Sequence, residues 1–283
     1  MRALDGYLVI DISLTLPGPL ATARLAEMGA RVVKVDPPGG DPVERFSASL
    51  YSELNGHKEV VRLDLKTEPG QSEMRNLLGE ADLLLTAFRP EALQRLKLGW
   101  SFLNSELPRL CHVGMIGFPG EGMARSGHDL TYQAAAGLVD PPCMPRSLIA
   151  DVAGAERAVS AALALLLKTE RSGKGGQQWV SLFEAAELFC LPLRHGLTEA
   201  GALLGGGLPR YCLYQAAAGW VALGALEDRL WEEFLEAVGM GDLVEETDEV
   251  ARAELEKLFR TRDANEWQDL AREHLLALEK VRV

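Results

Sequence analysis

The chain has 283 residues, of which 47% are apolar and 25% charged, a composition typical of an ordinary globular protein. Its formal charge of −12 excludes a protein whose main partner is nucleic acid, because phosphate backbones require a basic surface. A small anionic ligand remains compatible, since a local group of arginines can oppose the overall field.

The cysteines and the apolar segments indicate the expected compartment. The four cysteines are widely spaced, with no CxxC pair and no Cys/His metal spacing, which favours reduced thiols in a cytoplasmic protein without a metal site. No signal peptide precedes the first predicted strand. The apolar run Ala158–Leu167 is shorter than the about 20 residues that span a bilayer, so we expect no membrane association.

The first half of the chain alternates β-branched segments with helical patterns. The predicted strands are Tyr7–Ile12, Arg31–Val35, Val60–Asp64, Asp82–Thr86 and Leu110–Ile116. The predicted helices between them are Pro19–Met28, Gly70–Leu78 and Ala92–Leu96. Strands separated by helices of this length predict a mostly parallel sheet covered on both faces, with ligands beyond the carboxyl ends of the strands.

The second half is mainly helical. Its predicted elements are the helices Leu130–Leu138 and Gly154–Thr169, the strand Gln178–Leu182, the helix Phe183–Leu193, a hairpin of Tyr211–Gln215 and Trp220–Leu223, and the helices Glu227–Val238, Val250–Arg260 and Ala264–His274. Four glycines between residues 201 and 207 indicate a linker. We therefore predict an α/β protein with a large Rossmann-like domain over residues 1–195, a linker over 196–208 and a small α+β domain over 209–283.

Three polar residues stand at predicted helix starts and have both structural and functional interpretations. His128 lies in the polar segment Ser126–Asp129, where Asp129 could simply cap the next helix. Asp151 precedes a long apolar helix and could be an N-cap, or a base or nucleophile beside free amide groups. Glu227 fits a first-turn acidic residue.

Short motifs recur along nearly the whole chain. In order they are Leu4-Asp5-Gly6, Leu16-Pro17-Gly18-Pro19, the segment Leu25–Asp36, Gly39-Gly40-Asp41, Leu63–Lys66, Ala81–Leu84, Phe88-Arg89-Pro90, Leu98-Gly99-Trp100, Gly127-His128-Asp129, Ala150-Asp151, Gly173-Lys174-Gly175 and Gly224–Glu227. This series resembles the class III CoA-transferase (CaiB/BaiF) family, which includes the 2-methylacyl-CoA racemases. The resemblance implies a homodimer of interlocked chains, with each active site between one large domain and the partner's small domain.

The resemblance also implies the chemistry. The sequence is similar to the racemases at His128, Asp151 and Glu227, which would act as two acid/base groups and, from the partner chain, a carboxylate that orients His128. A CoA-transferase would instead use Asp151 as a nucleophile, and a non-catalytic acyl-CoA-binding relative is a third alternative. With coenzyme A as part of the substrate and no tightly bound cofactor, the implied CoA contacts are Arg89, Asp129, Tyr132, Asp36 and Lys58.

The sequence departs from the family pattern in three places. Pro37 stands where several relatives carry an arginine near the adenine. The segment between Gly137 and Asp151 is short, and the sequence stops after Leu278–Val283 without the C-terminal return to the large domain that the resemblance implies. We expect Pro37 to alter nucleotide binding, and the short segment or the missing return to reshape the acyl pocket or weaken the interlock.

Overall fold

The computed structural model describes residues 1–282, and its first compact unit is Met1–Cys190. The strands of this unit are β1 (Leu8–Asp11), β2 (Arg31–Asp36), β3 (Glu59–Arg62), β4 (Leu83–Thr86), β5 (Cys111–Ile116) and β6 (Gln177–Ser181). All are parallel neighbours in one six-stranded sheet of order β3-β2-β1-β4-β5-β6. The predicted parallel α/β architecture is confirmed.

Helices cover the two faces of this sheet. They are α1 (Pro17–Glu27), α2 (Pro42–Phe46), α3 (Ala48–Asn55), α4 (Glu68–Glu80), α5 (Pro90–Arg95), α6 (Trp100–Glu106), α7 (Asp129–Ala136), α8 (Ile149–Ser172) and α9 (Leu182–Phe189). Val9 and Leu85 point into the core packed by α1 and α8, whereas Ile10 and Leu84 point into the core packed by α4, α5 and α6. Both strand faces are buried, which explains the continuous apolar runs of the sequence.

Several helix boundaries differ from those predicted. α8 begins at Ile149, five residues before the predicted start at Gly154. The prediction relied on the apolar pattern that begins near Gly154, but residues 149–153 are already helical. α2 and α3 were not predicted from hydrophobic periodicity, since both are short and bury few residues. Their starts are instead fixed by side-chain caps from Asp41 and Ser47.

The second unit starts at Leu191 and has its own apolar core. Its elements are α10 (Leu191–Arg194), β7 (Tyr211–Gln215), β8 (Trp220–Gly224), α11 (Asp228–Val238), α12 (Asp248–Phe259), α13 (Ala264–His274) and β9 (Leu278–Lys280). The predicted hairpin of β7 and β8 is present, and β9 adds a third antiparallel strand next to β8. The three-part domain division over residues 1–195, 196–208 and 209–283 stays a prediction.

No helix within residues 1–282 is both long and apolar enough to cross a bilayer.

Gly175, in the Gly173-Lys174-Gly175 motif, lies too close to its neighbours for a side chain. A Cβ at this position would lie 2.0 Å from the carbonyl oxygen of Leu110, which is fixed at the entrance of β5. We expect Gly175→Ala to lower the free energy of unfolding by about 1–3 kcal/mol, because backbone has to move. Chemical denaturation of the purified variant measures this loss.

The matched control is Gly79→Ala in α4. A Cβ at Gly79 meets no atom within 4 Å, and the residue is exposed within a helix. Gly79 lies in the last turn of α4, so this change should stabilise the protein by no more than about 0.5–1 kcal/mol, the gain from alanine in a helix interior. Equal effects of the two substitutions would contradict the close approach at Gly175.

Candidate active site

A cavity of about 380 Å³ opens at the carboxyl edge of the parallel sheet in the first unit. The chain leaves β1 for β2 on one side and reaches β4 on the other, so the strand order reverses between β1 and β4. Ligands of open α/β sheets bind at such a reversal. The lining comes from the segments after β1, β4 and β5 and from helix starts: Leu14, Thr15, Pro17, Ala87, Arg89, Met115, Ile116, Gly117, Met123, Arg125, Ser126, Gly127, His128, Asp129, Tyr132, Asp151 and Leu182.

His128 is the N-cap residue of α7, but its imidazole is not used to cap the helix. The backbone N–H of His128 donates to the hydroxyl oxygen of Thr131 at 3.0 Å, and that hydroxyl donates to the carbonyl of His128 at 2.7 Å. The helix start is therefore satisfied by Thr131. The exposed imidazole of His128 remains available to a molecule in the cavity.

Asp129 caps a different helix from the one that was predicted. Its side chain is 4% exposed, and its Oδ1 accepts a hydrogen bond from the backbone N–H of Asp151 at 3.0 Å. The other oxygen accepts from the side-chain amide of Gln133. The prediction that Asp129 caps its own helix, α7, was wrong, since the carboxylate instead satisfies a free amide in the first turn of α8. This contact joins the starts of α7 and α8.

Asp151 is the third residue of α8, not its N-cap, and its side chain lines the cavity. Burial raises the pKa of this carboxyl, and the negative charge of Asp129 raises it further, to about 7. Among residues 1–282, no group donates a hydrogen bond to the Asp151 carboxylate that would oppose this shift. Asp151 therefore changes its protonation state near neutral pH.

Tyr132 forms one wall of the cavity and explains a glycine of the motif. Its ring packs edge-on against Phe118 with centroids 5.1 Å apart. A Cβ at Gly127 would lie 2.6 Å from the Tyr132 ring, so only glycine permits this packing. Burial, followed by the charge of Asp151, raises the pKa of the Tyr132 hydroxyl, which keeps it a neutral donor.

Two arginines bring positive charge to the cavity. Arg89, directly before α5, donates from Nη2 to the Ser126 hydroxyl at 3.2 Å. Arg125 was not predicted; its guanidinium lies over the Phe118 ring, 3.9 Å from the centroid. The sequence signal was its position directly before the Ser126-Gly127-His128 segment. Within residues 1–282 neither guanidinium forms a salt bridge, so both suit an anionic ligand.

Asp36 and Lys58, two of the predicted CoA contacts, lie outside the lining of this cavity. Asp36 is fully buried and lies 3.0 Å from the ammonium of Lys34. Lys58 donates to the Pro19 carbonyl, the Thr22 hydroxyl and the Asn55 side chain at 2.7–2.9 Å. Burial lowers the pKa of Lys58 to about 8, an effect that the charge of Asp11 partly offsets. Direct contact of these two residues with CoA stays a prediction.

A smaller cavity of about 190 Å³ lies at the same edge of the sheet, beyond the ends of β1, β2 and β3. Its walls are mostly apolar: Ile12, Leu14, Val35, Pro37, Pro38, Leu63, Asp64, Leu65, Lys66, Phe88 and Leu96. Leu14 lines both this cavity and the larger one. An elongated ligand could therefore extend along the sheet edge.

Glu227 belongs to the second unit, where it is the exposed N-cap residue of α11. Its side chain makes no capping hydrogen bond. The contribution of Glu227 to the site of another chain stays a prediction.

The fold and the cavity define an α/β protein with a polar, titratable site at the reversal of a parallel sheet. The profile of CoA-transferase family III matches residues 4–283, and the chain belongs to that family. The resemblance drawn from the motifs is thereby confirmed.

The relatives of this chain carry names of two reaction types. It is 34% identical over 257 residues to an alpha-methylacyl-CoA racemase of Homo sapiens, an alignment that covers 84% of this chain and 65% of the human protein. It is 28% identical to a probable fatty acyl-CoA transferase, Rv3272, of Mycobacterium tuberculosis, covering 95% of this chain and 80% of that protein. The chain thus spans slightly less than two thirds of the human racemase.

A crystal structure of the Mycobacterium tuberculosis protein Rv3272 has the same fold. It superposes with a TM-score of 0.87 at 27% sequence identity, covering all of this chain and 84% of that one.

The raised pKa of Asp151 predicts a pH-dependent gain in stability for Asp151→Asn. The folded-state pKa of about 7 exceeds the ordinary value of 3.8. Below pH 4 the carboxyl is therefore protonated in both the folded and the unfolded protein, and it does not lower the free energy of unfolding. Between about pH 4 and pH 7 the carboxyl ionises in the unfolded state but stays protonated in the folded state, so the wild type progressively loses stability that the neutral variant keeps. The gain should reach roughly 2–4 kcal/mol at pH 8, at 1.36 kcal/mol per unit. Denaturation at pH 4 and pH 8 measures it.

The control is Asp5→Asn, which removes an exposed carboxyl of the same unit. It should not show this pH-dependent gain. A gain for Asp151→Asn that is equal at both pH values would indicate a packing effect and contradict the raised pKa.

Proposed function

We propose that this chain processes acyl-CoA thioesters, and that its reaction is racemisation or epimerisation of 2-methylacyl-CoA by α-proton transfer. The observation that carries the proposal is that His128 and Asp151 line one cavity and that the pKa of Asp151 is raised to about 7. Acid/base catalysis is most efficient when the pKa of the group lies near the working pH. The names of the relatives provide the substrate class.

The chemistry requires one group on each face of the α-carbon. The Asp151 carboxylate would take the α-proton, leaving an enolate, and the His128 imidazolium would return a proton to the opposite face. In the reverse direction the neutral imidazole accepts the proton and the Asp151 carboxylic acid donates one. Because Asp151 is half-ionised near pH 7, it can serve in either direction.

The phosphates of coenzyme A would bind the guanidinium groups at the cavity. Arg89 and Arg125 are the charged donors there, and arginine suits phosphate geometry. The adenine would occupy the smaller apolar cavity beside Pro37 and Phe88, which adjoins the larger one through Leu14. Tyr132 and Asp129 would lie beside the pantetheine arm.

We also propose a homodimer in which Glu227 acts on the site of the partner chain. Glu227 is exposed and free of a capping role, so its carboxylate can interact with a residue outside its own unit. A carboxylate next to an imidazole favours the charged form of the histidine.

Exchange of the α-proton with solvent tests racemisation directly. We expect wild-type protein in D₂O to incorporate one deuterium at C2 of a 2-methylacyl-CoA, as followed by mass spectrometry. His128→Ala and Asp151→Ala should each slow interconversion of the two epimers, followed alongside deuterium incorporation, by about 10²–10⁴-fold, the usual contribution of a positioned acid or base. The exposed His274 gives a matched control, His274→Ala, which should exchange at the wild-type rate.

A CoA-transferase reaction would give a different result. It requires Asp151 as a nucleophile but not His128, so His128→Ala would stay active in transfer of CoA to a free carboxylate. Hydroxylamine would then trap an acyl adduct on Asp151 during turnover. This alternative is supported by relatives that are named CoA-transferases, among them the acetyl-CoA:oxalate enzyme of Acetobacter aceti, 29% identical over 94% of this chain.

The pH dependence of proton transfer should respond to Asp129. The rate of deuterium incorporation with Asp151 as base requires the carboxylate, so it should fall as the pH drops through about 7. In Asp129→Asn, burial still raises the pKa of Asp151 but the neighbouring charge is gone, so the acidic limb should move to lower pH. Rate profiles of the wild type, this variant and Asp5→Asn measure the shift. An acidic limb at the same pH in the wild type and in Asp129→Asn would contradict the electrostatic effect of Asp129 on Asp151.

A further inference from the structure

The segment that follows β1 has an unusual backbone conformation. Thr15 has a φ of 68°, in the left-handed region that a β-branched residue rarely adopts. Such a conformation persists only where surrounding contacts impose it. The preceding residue, Leu14, lines both cavities at the sheet edge.

Two buried charged side chains hold the backbone on either side of Leu14. The ammonium of Lys34 donates to the carbonyl of Ser13 at 2.8 Å. The backbone N–H of Thr15 donates to both carboxylate oxygens of Asp41, at 3.1 Å each. Both peptide groups that flank Leu14 are therefore bonded to an ionised side chain, which makes the stronger kind of hydrogen bond.

Lys34 and Asp41 are themselves paired. Their charged atoms lie 3.1 Å apart, and both side chains are fully buried. Burial lowers the pKa of Lys34, but the charges of Asp11, Asp36 and Asp41 together outweigh it, so its pKa is raised and it stays an ammonium ion. A buried ion pair is weak support for stability, and its best-attested use is to fix one arrangement among several.

We propose that the buried Lys34–Asp41 pair is a positioning device that fixes Leu14 between the two cavities and thereby sets the affinity for an acyl-CoA ligand. The affinity part of this inference rests on the proposed function, and the positioning of the segment does not. Neither residue lines the cavities, so both act through Leu14 and not by contact with the ligand.

Hydrogen exchange tests the positioning without any ligand. Thr15 is an exposed residue, yet its N–H is bonded to a buried carboxylate, so its amide should exchange at least about 100-fold more slowly than a free peptide. In Asp41→Asn the exchange should accelerate at least about tenfold. An amide of Thr15 that exchanges freely in the wild type overturns the proposal even if the variant fails to fold.

Ligand affinity tests the action through Leu14. Asp41→Asn should raise the dissociation constant for acetyl-CoA about tenfold, as measured by calorimetry on the folded protein. In a Leu14→Ala background the same change should add less than about threefold, because the residue it positions is already gone. An equal effect in both backgrounds overturns the proposal.

Tyr51→Phe is the matched control from the same ion cluster. The Tyr51 hydroxyl donates to Asp36 at 3.0 Å, whereas the hydrogen bonds to Ser13 and Thr15 come from Lys34 and Asp41. This variant should leave both the Thr15 exchange rate and the acetyl-CoA affinity unchanged. If wild-type protein binds no acyl-CoA, the proposed function fails, while the Thr15 exchange rates alone still support or overturn the positioning.

Discussion

The hydrogen bond from the backbone N–H of Asp151 to the carboxylate of Asp129 determines the arrangement of the candidate site. It joins the first turns of α7 and α8, two successive helices that are connected by the irregular residues 137–148. Because His128 immediately precedes Asp129, the same bond brings His128 and Asp151 to one cavity. It also places a negative charge beside Asp151, which adds to the effect of burial on its pKa.

The buried charges of the first unit are paired with one another, whereas in the described part of the chain the arginines of the cavity are not. Lys34 and Lys58 are buried among Asp11, Asp36 and Asp41, where their donors are used up by protein atoms. The guanidinium groups of the cavity are instead left without carboxylate partners among residues 1–282. The whole chain carries a net charge of −12, which repels anions. Local positive groups such as the guanidinium groups of Arg89 and Arg125 are therefore needed to attract an anion to the cavity.

The sheet could be predicted from the sequence because strands buried on both faces leave continuous apolar runs, as in β4 and β5. The position of the cavity could also be predicted, because ligands of parallel sheets bind beyond the carboxyl ends of the strands. The role of Asp129 could not be predicted, since its partner amide is 22 residues away along the chain. Arg125 and Asp41 were missed because each acts through tertiary contacts, with the Phe118 ring and the Thr15 amide, that no local pattern encodes.

The ionisation of Asp151 also bears on the choice between the two reaction types. A nucleophilic carboxylate reacts as the anion, so an environment that disfavours the anion works against transfer and requires compensating donors. Among residues 1–282 the side chain of Asp151 receives no such donor. A group that exchanges protons with a carbon acid benefits from the opposite property, a pKa close to neutral, because both of its forms must be accessible within one catalytic cycle. Burial without a hydrogen-bonded counter-charge is therefore the physical feature that supports the proposed proton transfer over the alternative of CoA transfer.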